Sequence, residues 1–248
     1  MNINTQTNQF QKLLKQNADE EYRQGSKITT PSGLNFIGVR VPIIRKIAKD
    51  WIKGNKEITN AEFLDILQAL WKQPLFELKS LAQELLITHK KYWKKFDWKI
   101  GESWLNEVDN WVHCDVLSWQ ILGFLVLWDK SHLKNLKNYL KRPGKWHRRA
   151  AIVSLLQLIR AKEIQAKEVL AMIDRIIDDQ EPMVQKAISW VLREMIRASN
   201  EKVVKKYLEQ NQNRLAGYVV REVTNKLQTG LKSGKVKIEC SKFYADRL

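Results

Sequence analysis

Glycine and proline are scarce in this chain, with 10 and 5 residues among 248, while 44% of residues are hydrophobic. That balance excludes a collagen-like, linker-like or disordered polypeptide and leaves ample apolar material for a core. Cysteine is nearly absent. Cys114 and Cys240 cannot build a disulfide framework and are expected as reduced thiols in a cytoplasmic protein. Long apolar runs are missing too. The nearest approach is Ile121 to Trp128, eight residues interrupted by Gly123, against about 20 needed to span a bilayer. The first 20 residues have neither the basic start nor the apolar stretch of a signal peptide. No membrane partner is expected.

Acidic residues are the next shortage. Lys and Arg number 43 against 27 Asp and Glu, a net charge of +16, whereas about 2–8 suffices to keep a small domain soluble. The excess is concentrated. Between Lys130 and Lys162 lie ten basic residues (Lys130, Lys134, Lys137, Lys141, Arg142, Lys145, Arg148, Arg149, Arg160 and Lys162) and no acid. Such a stretch within folded sequence is the electrostatic footprint of phosphate binding, and nucleic acid fits it better than an anionic membrane surface. The opposite bias precedes it. Residues 101–120 contain Glu102, Glu107, Asp109 and Asp115 but neither Lys nor Arg. Carboxylates beside a phosphate-binding surface weaken affinity, so either these face away or at least one has a chemical task.

Apolar spacing is helical almost throughout. Phe63, Leu64, Leu67 and Leu70 fall at i, i+1, i+4 and i+7, and Ile152–Ile159 and Val203–Leu208 repeat the pattern. No useful stretch alternates with period two, so strand is expected only as a short extended piece near Phe36–Val41. Thr59-Asn60-Ala61-Glu62 reads as a capping box. Pro42, Pro74, Pro143 and Pro182 each head an apolar-periodic segment; their separations are 32, 69 and 39 residues, and with 69 counted as two repeats the average period is 35. That period fits stacked helical hairpins, and the weak similarity between units favours HEAT-like repeats. The expected fold is all-α, about six HEAT-like hairpins forming a single domain over residues 1–228. An irregular tail is expected over 229–248.

Several catalytic signatures are missing: a phosphate-binding glycine loop, a dinucleotide fingerprint, paired C-x-x-C and H-E-x-x-H. No metal or cofactor is expected. His113, Cys114 and Asp115 are consecutive, and consecutive helical residues point about 100° apart, so they do not form one metal face. Three segments carry more information. In the first, Trp111 and Asp115 are four apart and share a helix face. The second runs Lys145-Trp146-His147-Arg148-Arg149-Ala150-Ala151-Ile152. In the third, Trp190 has Lys186 four residues before it and Arg193 three after it. Asp115, Arg149 and Trp190 are 34 and 41 residues apart, about one repeat each. Equivalent positions on successive repeats line one face of such a stack.

These segments resemble the AlkD-type DNA alkylation repair proteins, the HEAT-like repeat DNA glycosylases. The likeness extends from the F-I-G-V-R-V-P-I-I-R string at 36–45 to about Leu227. Its strongest parts are W-V-H-C-D at 111–115, R-A-A-I at 149–152 and Q-K-A-I-S-W-V-L-R-E at 185–194. The resemblance implies a right-handed superhelical solenoid with a concave basic face. It also implies excision of N3- and N7-alkylated purines from duplex DNA by a monomeric enzyme. The family's tryptophan–aspartate pair then falls on Trp111 and Asp115, its arginine on Arg149 and its second tryptophan on Trp190. Lys145, Arg148, Lys186, Arg193, Arg40 and Arg45 are the candidate DNA contacts. A second reading keeps the basic face without chemistry, as a non-catalytic solenoid that recognises distorted or branched DNA. A third is a helical scaffold for an acidic protein.

Overall fold

The computed structural model describes residues 2–89, 93 and 96–233. It is all-α. Among the described residues the only β feature is an isolated parallel bridge between Asn35 and Leu75. The expected extended piece is present, since residues 36–40 are non-helical before α3 begins.

The chain divides into two compact units, Met1–Ser154 and Leu155–Leu248. The first contains α1 (Ile3–Lys15), α2 (Glu20–Thr29), α3 (Val41–Gly54), α4 (Asn60–Trp71), α5 (Phe76–Thr88), α6 (Trp98–Asn106), α7 (Trp111–Asp115), α8 (Gly123–Trp128), α9 (Leu133–Tyr139) and α10 (Lys145–Val153). A π-helical segment, Val116–Leu122, joins α7 to α8. The second contains α11 (Leu155–Arg160), α12 (Ala166–Ile173), α13 (Pro182–Arg197), α14 (Glu201–Asn211) and α15 (Gly217–Thr229). Within the first unit α5 packs against α3 and α4, and α10 against α7 and α9. Within the second, α13 packs against α11, α14 and α15.

Local chemistry explains the boundaries. The Thr59 hydroxyl accepts from the Glu62 amide while the Glu62 carboxylate accepts from the Thr59 amide, completing the expected capping box. Pro42 and Pro182 occupy the first turns of α3 and α13, where a missing N–H leaves no bond unmade. Gly230 closes α15 at φ 72°. Most of the expected tail, residues 234–248 with Cys240, lies outside the described residues.

Stacked indoles of Trp71 and Trp104, 4.4 Å between centroids, anchor the first core beside Leu67, Leu78, Leu81 and Leu117. By length and composition Trp111–Trp128 could cross a bilayer, yet half of it is buried inside the protein. It supplies Leu117, Ile121, Leu122 and Val126 to the core, which is what a central helix of a folded domain does.

One helix is held differently. α2 buries no residue, so apolar packing contributes little to its placement. Its start is tied to residues 36–40. The Asp19 amide donates to the Gly38 carbonyl at 2.9 Å, and the Arg40 guanidinium pairs with Asp19 at 2.9 Å and covers the Tyr22 ring at 4.7 Å. Gly38 has φ 90°, and a Cβ there would come within 2.6 Å of the Arg23 Cβ. Only glycine permits this close crossing.

A buried ion pair and a tryptophan at the start of a π-interrupted helix

The segment around Trp111 starts sharply. Asn110 is buried and its Oδ1 accepts from the His113 amide at 3.0 Å, which caps α7. Asp109, just before it, reaches residues 32 and 33. Its carboxylate accepts from the Ser32 hydroxyl at 2.7 and 2.8 Å, from the Gly33 amide at 2.6 Å and from Asn110 Nδ2 at 2.9 Å. Burial opposes ionisation of Asp109, but these donors outweigh it and hold the carboxyl below its ordinary value. One residue further on, the Trp111 indole N–H donates to the Thr29 carbonyl at 3.0 Å. The half-buried ring lines a groove of about 530 Å³ shared with Tyr22, Gly25, Thr29 and Phe76.

His113 points into the core. It stacks on Phe76 at 4.3 Å. Its Nε2 lies 3.0 Å from Ser80 Oγ and 3.2 Å from the Phe76 carbonyl, and its Nδ1 lies 2.9 Å from Asn110 Nδ2. Ser80 already donates to the Phe76 carbonyl, so its oxygen accepts from His113. These partners define a neutral ring with its proton on Nε2. Burial, with the Lys79 charge nearby, pushes the imidazole down to about 3. The unfolded chain therefore takes up a proton below pH 6.5 that the folded chain refuses. Stability to urea is expected to fall with a one-proton dependence from pH 6.5 towards 3. Measuring the urea midpoint across that range should show a slope smaller by about one proton in His113→Leu, the remainder belonging to depressed carboxylates such as Asp109.

The π-segment has an identifiable cause. Gln83, buried on α5, donates from Nε2 to the His113 carbonyl at 2.9 Å. The Ser118 hydroxyl donates to the Cys114 carbonyl at 2.6 Å. Two side-chain donors thus occupy carbonyls of the α7 turn, and the ladder re-registers over Val116–Leu122. Cys114 is buried and its thiol reaches the Trp146 carbonyl at 3.6 Å. Burial pushes it up to about 12, so it is an inert packing group.

Asp115 sits at the junction of α7 and the π-segment. Its two oxygens accept from Arg149 of α10, Nε to Oδ1 at 2.7 Å and Nη2 to Oδ2 at 2.7 Å. The side chains are 6% exposed for Arg149 and 14% for Asp115, so the pair is largely withdrawn from water while Asp115 retains an opening. Burial raises the Asp115 carboxyl above its ordinary value, and Arg149 opposes that rise by hydrogen bond and charge.

Within the first unit the structure therefore pairs Asp115 with Arg149, one helical turn along α7 from Trp111. The other basic candidates there are engaged locally. Arg148 donates to the Arg142 and Pro143 carbonyls at 2.9 and 2.5 Å, which fixes the turn before α10. Lys145 lies 5.4 Å from the Trp146 ring centre. Arg45 is bidentate with the buried Glu84, both contacts at 3.0 Å, and Arg40 pairs with Asp19 as above. Trp190, Lys186 and Arg193 belong to the second unit, all on α13. Lys186 is exposed and Trp190 half-buried. Arg193 Nε donates to Ser189 Oγ at 3.3 Å and Nη2 lies 3.7 Å from Glu222. Glu222 also accepts from Ser189 at 2.6 Å and Lys232 at 3.1 Å.

Sequence reasoning missed the supporting residues. Asn110 was within reach, because an asparagine before a helical apolar run is an N-cap signal. Ser32, Gln83 and Ser80 lie 30–77 residues from the groups they hold, and nothing local marks them.

Residues 10–227 match the sequence profile of a family described as DNA alkylation repair enzyme. Among solved structures, a predicted DNA alkylation repair enzyme from Enterococcus faecalis is similar, with 17% identity and a TM-score of 0.72. The match covers 86% of this chain and 97% of that one; at that identity it speaks for the fold. No curated protein matches.

Proposed function

Because the chain belongs to the DNA alkylation repair enzyme family, we propose that it is a monofunctional DNA glycosylase acting on cationic N3- and N7-alkylated purines in duplex DNA. The observation that carries this reading is the withdrawn, bidentate Asp115–Arg149 pair, one helical turn from Trp111. A protein that only gripped DNA would gain nothing from a carboxylate there, since its charge opposes phosphate binding.

The chemistry demands little of the protein. Alkylation makes the purine a cation, and the electron pair of the C1′–N bond leaves with the base as the neutral alkylpurine. Positive charge then develops on the deoxyribose, as in other glycosyl transfers. Asp115 offsets that charge and orients the water that adds to C1′, and the water's second proton passes to solvent. Arg149 holds the carboxylate by both oxygens, so its geometry is set before the substrate arrives. The Trp111 ring attracts the cationic base or sugar through its quadrupole, worth about 0.5–2 kcal/mol. Trp190 is assigned the same role on α13. Lys145, Arg148, Lys186, Arg193, Arg40 and Arg45 are assigned to the phosphates, those with ion-pair partners by rearranging them. In this reading the base is expelled from its stack without being flipped into a pocket.

The test is release of 3-methyladenine or 7-methylguanine from N-methylated duplex DNA, with strands kept intact. Free base and unbroken strands support the reading. Tight, salt-sensitive DNA binding with no base released would overturn it and favour the non-catalytic solenoid.

A further inference from the structure

We propose that Asp109 is a positioning residue, a latch that fixes the C-terminal end of α2 against Trp111 through Ser32 and Gly33. The inference rests on the glycosylase reading for its effect on base release, but not for its structural content. Two chain segments far apart in sequence meet here at two adjacent points. Residue 109 holds residues 32 and 33 through three contacts of 2.6–2.8 Å. Residue 111 holds the carbonyl of residue 29 at 3.0 Å. The first contact sets the second, because only the short stretch 29–32 separates the carbonyl that orients the indole from the hydroxyl gripped by Asp109.

The latch has unusual leverage because α2 buries no side chain. With only Tyr22, Arg23 and Ser26 partly buried, such a helix is held largely by the polar ties at its ends. At its start those are Asp19, Gly38 and Arg40. At its end they are Asp109 and Trp111. Removing Asp109 leaves Trp111 bonded to a carbonyl on a segment that is no longer held, and the groove wall formed by α2 loses its register with the indole. Asp109 is joined through Asn110 to the cap of α7, so the same carboxylate links α2 to the helix that carries Asp115.

Asp109→Ala and Asp109→Asn separate latch from charge. The amide of the asparagine retains an oxygen for the Gly33 N–H, and the alanine retains nothing. In Asp109→Ala, amide hydrogen exchange over residues 22–33 is expected to accelerate roughly tenfold or more while α5 and α13 keep their protection. Single-turnover base release is expected to fall roughly tenfold or more through misplacement of the indole, with affinity for undamaged duplex unchanged. Asp109→Asn should recover most of both. Ser32→Ala should give a smaller loss that does not add to that of Asp109→Ala, because both break one latch. Unchanged exchange over residues 22–33 in Asp109→Ala would overturn the latch. Accelerated exchange with unchanged base release would overturn its positioning role. If the parent releases no base, the glycosylase reading fails by itself and the exchange measurement still decides the latch.

Discussion

Asp115→Asn is expected to lower base release from N-methylated duplex DNA by roughly 100-fold or more, the usual cost of removing one preorganised electrostatic group. Affinity for DNA should hold or rise. The substitution nearly preserves volume, and the amide oxygen still accepts one hydrogen bond from Arg149, so α7 and α10 stay together. What disappears, on the proposed mechanism, is the negative charge facing the developing sugar cation. At the same time one carboxylate is removed from the proposed phosphate-binding surface, which favours binding. The opposite directions are diagnostic, because misfolding would reduce both quantities. Equal base release by parent and variant would keep the activity and remove Asp115 from the mechanism. On the proposed mechanism the parent's activity requires the ionised carboxylate, and burial raises its pKa above the ordinary 3.8. Base release is therefore expected to decline on the acid side at a pH above that value.

Much of this was legible in the sequence, for physical reasons. Helical periodicity and proline at helix starts are local signals, and the all-α reading, the capping box at Thr59 and the extended piece before Pro42 all follow from them. Trp111 and Asp115 stand out because a pair four residues apart shares a helix face. Sequence alone allows Arg149 to hold either a phosphate or Asp115, and the structure shows it bonded to Asp115 through Nε and Nη2. That choice depends on a contact across 34 residues, beyond the reach of any periodicity. The same limit hid the π-segment. Residues 116–122 read as ordinary helix, and the departure comes from Gln83, a donor on another helix. Basic residues were also read too simply. Positive charge along the chain marks a phosphate-binding protein, but it does not reveal that Arg45 is spent on Glu84 or Arg148 on a turn. Buried acids such as Glu84 and Glu194 decide which arginines are engaged, and their burial is a property of the packing.

Arg149→Met is expected to be the most destabilising single substitution at the site, by about 3–5 kcal/mol at pH 8, the range for orphaning one member of a buried pair. Methionine fills similar space, so little of the loss comes from a cavity. The cause is the Asp115 carboxylate left largely buried without its partner. Its pKa, already raised by burial, rises further when the guanidinium is gone. The ionised group is then disfavoured in the folded state relative to the unfolded one. The penalty is fully present above the raised folded-state pKa, shrinks as pH falls through it, and vanishes below the ordinary 3.8. Urea titrations of Arg149→Met should therefore show a deficit against the parent that narrows on acidification. The acid limb of any residual base release should move to higher pH in the same variant. Adding Asp115→Asn to Arg149→Met removes the orphaned charge, so the double variant should be more stable at pH 8 than Arg149→Met alone. A double variant less stable than Arg149→Met would mean that the carboxylate is not the source of the loss. Full stability of Arg149→Met at pH 8 would mean that the pair contributes nothing to holding α10 on α7.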